Sequence, residues 1–409
     1  MIGMKVLFLS TWNPYPPNNG SKIRAYYLLR AISAQHETLA LAFCPPTEAH
    51  SLDDSLSRDS VVCVDDDPFR YINAPRWMRY LSPMPLIFRS SHAMQQMIEK
   101  LEKQTWDVVV AVQMPVARYA GSIRATAKII DVDTALTYQM RERYLVQRGW
   151  LRKIGAWVSW QKAHRYERKM LQKFQVATVV AQHEVAPLQL MTARGSCCVY
   201  QVQNGVDCER NHLILERNQD CNLVFNGSLT YSANYDAVRW FLAEIYPLIQ
   251  ARRADANLIV TGSTSGVDLD DLLLDECVHL TGYVEDVRVP VSEAAVAIAP
   301  IRQGGGTRLK ILEAMALGTP VVATRKGAEG LDVIDGEHLL LADDPQSFAN
   351  AVLVLLGDAN IRARLAQNAR RLVETHYDWA AIGDQFVQLV EDAVGAQRGA
   401  PVGRRTLDG

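Results

Sequence analysis

Within residues 301–320, the stretch 304–313 places three glycines, two cations and one carboxylate in an order that suits an anionic ligand. The segment reads IRQGGGTRLKILEAMALGTP. The consecutive residues Gly304, Gly305 and Gly306 let backbone N–H groups approach a ligand closely. A helix that starts near Thr307 would point its positive end at that ligand, which favours a phosphate.

The charged residues of this segment fit the same chemistry. Arg308 and Lys310 would lie in the first turn of the helix, where cations oppose the helix dipole, so a bound anion would explain them. Glu313 follows one to two turns into the helix, where its carboxylate could accept hydrogen bonds from paired sugar hydroxyls. A glycine-rich turn with a solvated, basic helix start is the alternative interpretation.

The elements around this segment predict an α/β chain. Short, nearly all-apolar runs alternate with loops and amphipathic helices, which is typical of buried parallel strands in doubly wound sheets. The predicted strands are 5–10, 38–43, 107–112, 128–132, 176–181, 199–202, 223–226, 257–261, 278–280, 296–300, 320–323 and 339–341. The predicted helices are 21–35, 236–252, 309–317, 345–356, 361–375 and 378–394.

Composition excludes several classes of function. Hydrophobic residues make up 48% of the 409 residues, and the formal net charge of −2 argues against binding nucleic acid by charge alone. The seven cysteines are odd in number and contain no C-x-x-C pair, so we expect small buried thiols rather than zinc ligands or a disulfide framework. With no signal peptide and no run of 18 apolar residues, the sequence predicts a cytoplasmic protein.

Five motifs together resemble family 4 glycosyltransferases. The segment 301–324, which continues as EAMALGTPVVAT, resembles the donor-site signature of that family. Four further motifs follow the family order, namely VLFLSTWNPYPPNNGSKIRAYYLLRAI at 6–32, QNGVD at 203–207, FNGSLTYSANYDAVRWF at 225–241 and HLTGYVEDV at 279–287. The resemblance implies the GT-B fold, in which two Rossmann-like doubly wound domains face each other across a cleft.

The resemblance also implies a division of the chain. Residues 1–200 and a returning C-terminal helix, 378–396, would form the acceptor-side domain. Residues 201–377 would form the domain that binds the nucleotide-sugar donor, and 397–409 would be a flexible tail.

Roles for individual residues follow from the matched motifs. Glu313 would bind the donor ribose, and Arg308 and Lys310 would neutralise the diphosphate and support catalysis. The remaining donor-binding positions implied are Gly20, Gly227, Ser228, Tyr283, Val284, Gly304, Gly305, Gly306 and Thr307. The resemblance implies retention of configuration with a UDP- or GDP-type donor, without a metal or another cofactor, because cations and helix dipoles would stabilise the leaving diphosphate.

Three departures from the family pattern bear on the site. Gly305 stands where a second glutamate is usual, and 227–231 lacks the usual basic pair. The acceptor-side histidine is absent, so Asp133 is the catalytic candidate there, with a helix-capping or turn aspartate as the alternative. Asp131 is interpreted as structural.

A basic and aromatic stretch covers residues 140–173. Ten Lys and Arg residues stand there against two glutamates, with three tryptophans among them. This composition suits a peripheral contact with an anionic membrane at its inner face. A long surface helix whose tryptophans pack on the sheet is the equal alternative.

The resulting hypothesis is a glycosyltransferase acting on a glycan, lipid-linked or small-molecule acceptor in cell-surface polysaccharide or glycoconjugate synthesis. The missing family residues keep two alternatives open: a non-catalytic nucleotide-sugar-binding protein and a sugar-nucleotide epimerase on the same fold.

Overall fold

Two parallel β-sheets organise the chain, each inside its own compact unit. The computed structural model describes residues 3–44, 61–69, 82, 85, 90–192, 197–212, 221–304 and 308–399. The first unit comprises Met1–Gln203 and Ala380–Gly409, and the second comprises Asn204–Trp379. The sequence predicts domain boundaries after residues 200 and 377, and the two units of the structure meet after residues 203 and 379.

The first unit is a seven-stranded sheet with helices between the strands. Its strands are β1 (Lys5–Ser10), β2 (Glu37–Phe43), β3 (Val61–Val64), β4 (Trp106–Val112), β5 (Ala125–Asp133), β6 (Val176–Val179) and β7 (Cys198–Gln201), in the order β3-β2-β1-β4-β5-β6-β7. Its helices are α1 (Gly20–Ser33), α2 (His92–Leu101), α3 (Met114–Ala120), α4 (Leu136–Val146), α5 (Trp150–Leu171) and α6 (Gln182–Met191).

The second unit repeats this organisation with six strands. They are β8 (Asn222–Asn226), β9 (Asn257–Thr261), β10 (Val278–Gly282), β11 (Val296–Ala299), β12 (Val321–Ala323) and β13 (Leu340–Leu341), in the order β10-β9-β8-β11-β12-β13. The helices of this unit are α7 (Ser232–Trp240), α8 (Tyr246–Gln250), α9 (Arg288–Glu293), α10 (Leu309–Ala316), α11 (Pro345–Gly357) and α12 (Ala359–His376). A further helix, α13 (Trp379–Gln397), belongs to the first unit from Ala380 onward.

The central strands are buried on both faces, which is why they read as uninterrupted apolar runs. Val6 to Leu9 in β1 and Val108 to Ala111 in β4 are fully buried. Both sheets pair in parallel throughout their described registers, for example Leu7 with Leu39 and Asn226 with Thr261. The predicted pair of Rossmann-like, doubly wound α/β domains is confirmed.

The predicted helix 236–252 differs from the structure in its start and its continuity. Helical backbone begins at Ser232 and passes through a π-helical turn, Phe241–Ile245, before α8. Pro247 stands at the start of α8 and has no N–H to donate to the preceding turn, so the regular hydrogen-bond pattern is interrupted there.

The expectation of small buried thiols rather than disulfides is wrong for one pair of cysteines. Cys44 and Cys63 form a disulfide, with their Cα atoms 5.5 Å apart. Cys63 lies in β3, and Cys44 directly follows β2, its parallel neighbour, whose Phe43 pairs with Val64. Strand pairing brings the two sulfurs together across a sequence separation of 19 residues, and such a separation carries no motif.

Each sheet contains a point where the chain reverses its direction of strand addition. In the first unit this point lies between β1 and β4, and in the second between β8 and β11. The loops at the carboxyl ends of such strand pairs diverge and leave room for a ligand.

Candidate functional site

A carboxylate and an amide meet at the reversal point of the second unit. Asn226 ends β8, and its Nδ2 donates to Glu313 Oε2 on α10 at 2.8 Å. Burial raises the pKa of Glu313 to about 7, against the opposing charge of Lys310 and the hydrogen bond from Asn226. Glu313 is thus a carboxylate held by one neutral donor and poised between its two protonation states near neutral pH.

Lys310 lies three residues before Glu313 on the same helix and is held by two partners. Its Nζ donates to Asn234 Oδ1 at 3.0 Å and stands 3.9 Å from the centre of the buried Phe225 ring. Burial lowers the pKa of Lys310 to about 7, and the charge of Arg308 acts in the same direction. An anion beside this ammonium group would raise that pKa and would itself be stabilised.

Arg308 supports the glycine turn that precedes α10. It is 8% exposed, and its Nη2 donates to the carbonyl of Gly304 at 2.8 Å and more weakly to that of Gln303 at 3.3 Å. Gly304 has a φ of +95°, and a Cβ there would lie 2.9 Å from the Tyr231 hydroxyl. The predicted residues Gly305, Gly306 and Thr307 lie outside the described residues.

Glycines allow the loops that follow β8, β9 and β10 to pack closely against one another. Gly262, with a φ of +127°, lies so close to Gly227 that a Cβ would come within 2.5 Å of the Gly227 carbonyl carbon. The Gly262 N–H donates to the Gly282 carbonyl at 2.9 Å. A Cβ on Gly227 itself would stand 2.6 Å from Lys310 Nζ, so glycine at this position leaves room for the ammonium group.

Two residues that follow β10 complete the predicted set in this unit. Tyr283 is exposed over most of its side chain, and Val284 is half-buried. Ser228, which follows Gly227, donates through its hydroxyl to the Ser263 carbonyl at 3.0 Å. This bond joins the loops after β8 and β9, so the loops after β8, β9 and β10 form a connected rim at the carboxyl edge of the sheet.

Asp133 lies at the carboxyl end of β5 in the first unit, in an unusual backbone conformation. Asp133 and Gln113 are the non-glycine residues with positive φ in the described part of the chain, at +63° and +73°. Gln113 directly follows β4, the neighbour of β5, and its Nε2 donates to Asp133 Oδ2 at 3.4 Å. Left-handed backbone in non-glycine residues costs free energy and concentrates at functional sites.

Burial raises the pKa of Asp133 to about 6, while the charge of Arg24 opposes the shift. Asp133 does not cap α4, since the helix cap is Ala135 and no side chain bonds to it as an N-cap. The first N–H groups of α4, from Leu136 and Thr137, instead donate to Glu167 at 2.6 and 2.9 Å. The alternative of a helix-capping aspartate is thereby removed, whereas a turn aspartate remains compatible with the structure.

Asp131 belongs to a buried ion pair inside the first unit. Arg24 donates through Nε and Nη2 to the two Asp131 oxygens at 2.8 and 2.6 Å, and Thr178 donates to the same carboxylate. Arg24 also donates to the carbonyls of Val202 and Gln203. These groups satisfy one another, which agrees with the structural role expected for Asp131. Gly20, by contrast, is exposed as the first residue of α1, which Asn19 caps.

Three site residues escaped the sequence analysis: Asn226, Asn234 and Gln113. They are neutral amides, and the partners of Asn226 and Asn234 lie 87 and 76 residues away. A signal was available for Asn226 and Gln113, because each stands where a strand meets its loop at a reversal point.

The described residues contain no group of three His, Cys, Asp or Glu side chains arranged to hold a metal ion. Over the same described ranges, no helix is both long enough and apolar enough to cross a membrane.

Comparison with known proteins agrees with this geometry. Residues 220–358 match the family described as Glycosyl transferases group 1. Phosphatidyl-myo-inositol mannosyltransferase of Mycolicibacterium smegmatis is 29% identical over 178 residues, which are 41% of this chain and 46% of that protein. The chain thus spans less than half the length of the first curated relatives that it matches.

Solved structures show the fold across the whole chain. Sucrose-phosphate synthase from Thermosynechococcus elongatus superposes with a TM-score of 0.72 at 18% identity, covering 96% of this chain and all of that one. Anabaena HepE in complex with UDP-glucose superposes with a TM-score of 0.65 at 15% identity, over 95% of this chain and 99% of that one. The chain has the GT-B fold. The segment similar to the group 1 glycosyl transferases, residues 220–358, lies within the second unit.

Proposed function

We propose that this protein is a retaining, metal-independent glycosyltransferase that takes a sugar from a nucleoside-diphosphate sugar. The observation that carries the proposal is the position of Glu313 and Lys310, three residues apart on α10 at the carboxyl edge of β8. One group accepts hydrogen bonds from vicinal ribose hydroxyls, and the other neutralises a diphosphate. Both are desolvated, so each interaction with a ligand is stronger than it would be in water.

The diphosphate leaves as the bond to the sugar breaks, so negative charge grows on it in the transition state. Lys310 supplies a positive charge at that position, and the start of α10 adds the positive end of its helix dipole. Asn234 keeps the ammonium group in place through its bond at 3.0 Å. These groups supply the electrostatic stabilisation that a metal provides elsewhere.

The donor and the acceptor are proposed as classes. UDP- and GDP-sugars are the first donors to test, and the HepE complex with UDP-glucose supports UDP. The named mannosyltransferase supports an acceptor hydroxyl on a lipid-linked polyol, in glycoconjugate or polysaccharide synthesis. Asp133 is the acceptor-side carboxylate, supported by its strained backbone and its bond to Gln113.

The test is a thermal-shift screen over UDP, GDP and their sugar conjugates, followed by a transfer assay with the best donor and a chelator present. A specific nucleotide should raise the unfolding midpoint, since ligands of the folded state stabilise it by mass action. Binding without transfer or hydrolysis would favour a non-catalytic binding protein, and an epimerised nucleotide sugar would favour an epimerase. No shift with any nucleotide would refute the proposal.

A further inference from the structure

Six large apolar side chains are exposed at the tip of the hairpin that α4 and α5 form. Their exposed fractions run from 49% to 72%. These residues, termed the hairpin patch, are Leu145, Val146, Trp150, Leu151, Ile154 and Trp157. Single exposed apolar residues are ordinary on protein surfaces, whereas a concentration of them at one end of a helical hairpin is typical of an interaction site.

Within the basic and aromatic stretch 140–173, the exposed tryptophans lie near this tip of the hairpin. Trp160 stacks on Tyr144 with ring centres 5.7 Å apart, and Tyr166 is buried. Trp150, Ile154 and Trp157 are spaced by four and three residues, which places them on one side of α5. One tryptophan therefore packs against α4, whereas the other two are exposed.

Cations dominate the sequence that carries the hairpin patch. From Arg143 to Arg165 the sequence contains six Lys and Arg residues and no Asp or Glu, although the whole chain carries a formal net charge of −2. Arg143, Arg148 and Arg152 are exposed. An apolar surface ringed by cations is complementary to a surface that is apolar within and anionic at its boundary.

We infer that the hairpin patch docks on an anionic lipid surface. The two tryptophans and their aliphatic neighbours enter the boundary between headgroups and acyl chains, and the arginines lie among the lipid phosphates. A second copy of this chain fits less well, because a two-fold contact would set the same cations against each other. The inference does not depend on sugar transfer, since it concerns a surface of the first unit alone.

The experiment is co-sedimentation of the full chain with vesicles of phosphatidylcholine, alone or mixed with phosphatidylglycerol. We expect binding at least about tenfold tighter to the mixed vesicles, lost on raising the salt concentration. The double variant Leu151→Glu with Ile154→Glu should lose at least about tenfold in binding. Its matched control is Leu273→Glu with Leu274→Glu, which makes the same charge change at exposed leucines of the second unit.

A second pair of variants tests the cations without touching the apolar groups. Arg148→Gln with Arg152→Gln should weaken binding about tenfold or more, since each cation near an anionic surface contributes about fivefold. The matched control, Arg364→Gln with Arg371→Gln on α12, should bind like the wild type. All substituted side chains are exposed, so unchanged unfolding midpoints verify folding.

Three results would overturn the inference. The wild type could fail to bind mixed vesicles, or the Leu151 and Ile154 variant could bind as tightly as its control. Alternatively, the wild type could self-associate in solution through the hairpin patch, with the same variant becoming monomeric, which would assign the patch to a second copy. Each result is independent of the nucleotide screen.

Discussion

Replacing Glu313 by glutamine separates the stability of the site from its function. The substitution removes the charge but keeps an oxygen that can accept the bond from Asn226. The pKa of Glu313 is raised to about 7, so the folded state holds this proton more tightly than the unfolded chain does. Ionisation of Glu313 above pH 7 therefore costs the folded protein about 3 kcal/mol as an upper bound.

The sign of this linkage fixes how Glu313→Gln depends on pH. Stability from the wild-type group is present below its unfolded pKa and is lost as pH rises through the folded value of about 7. The neutral variant does not lose it, so at pH 8 we expect Glu313→Gln to be more stable by about 1 to 3 kcal/mol. The lower figure allows for the lost attraction between Glu313 and Lys310. At pH 4, below the unfolded pKa of about 4.3, the two proteins should unfold together.

The affinity of Glu313→Gln for nucleotide should fall, although its stability at pH 8 should rise. A charged carboxylate that accepts hydrogen bonds from ribose contributes about 1.5–3 kcal/mol, so Glu313→Gln should bind UDP or GDP about 10- to 150-fold more weakly. Differential scanning calorimetry from pH 4 to pH 8, with and without nucleotide, measures both effects. A variant that is less stable at pH 8, or that binds nucleotide like the wild type, would refute the reasoning. Glu285→Gln, an exposed carboxylate of the same unit, is the control.

Three further substitutions test other parts of the molecule. Lys310→Met should weaken UDP binding about 10- to 100-fold by titration calorimetry, because a desolvated charge is removed from the diphosphate position. Asp133→Asn should lower sugar transfer about 100-fold or more in a product assay while leaving nucleotide binding in place, and should gain stability above pH 6, where the ionised carboxylate is costly. Asp131→Ala should lower the free energy of unfolding by about 3–5 kcal/mol in denaturant titrations, since Arg24 keeps a buried charge without its partner.

Each of these predictions has an outcome that contradicts it. Unchanged UDP affinity in the Lys310 variant would show that the ammonium group does not contact the bound nucleotide. Normal transfer by Asp133→Asn would reduce that residue to a strained turn. A loss below about 1 kcal/mol for Asp131→Ala would show that solvent reaches the ion pair in the folded state.

The fold could be predicted from the sequence because strands buried on both faces of a parallel sheet are continuous apolar runs. Residues 6–9 and 108–111 are apolar at every position, and the parallel pairing of their strands follows from the helices between them. The exact ends of helices depend on local chemistry that periodicity does not report. The chain before Asp236 is already helical from Ser232, and the π-helical turn before Pro247 has no apolar signature.

In the buried polar contacts of the candidate site, only the charged partners were predicted from the sequence. Glu313 and Lys310 were predicted because charges at a helix start next to glycines are conspicuous. Their amide partners, Asn226 and Asn234, come from other elements and are set by tertiary contact, so no local spacing identifies them. The hairpin patch shows the same limit, since composition located the region but not which of its tryptophans face outward.

Glu167 gives the hairpin a second property. It is a fully buried residue of α5 whose two carboxylate oxygens hold the first N–H groups of α4, next to the turn that contains Asp133. Glu184 holds the N–H of Ala135 in the same turn at 3.2 Å. These bonds fasten α5 and α6 to the start of α4, directly after the turn that contains Asp133. Removal of either carboxylate would leave backbone N–H groups there without an acceptor and would loosen the segment that follows Asp133.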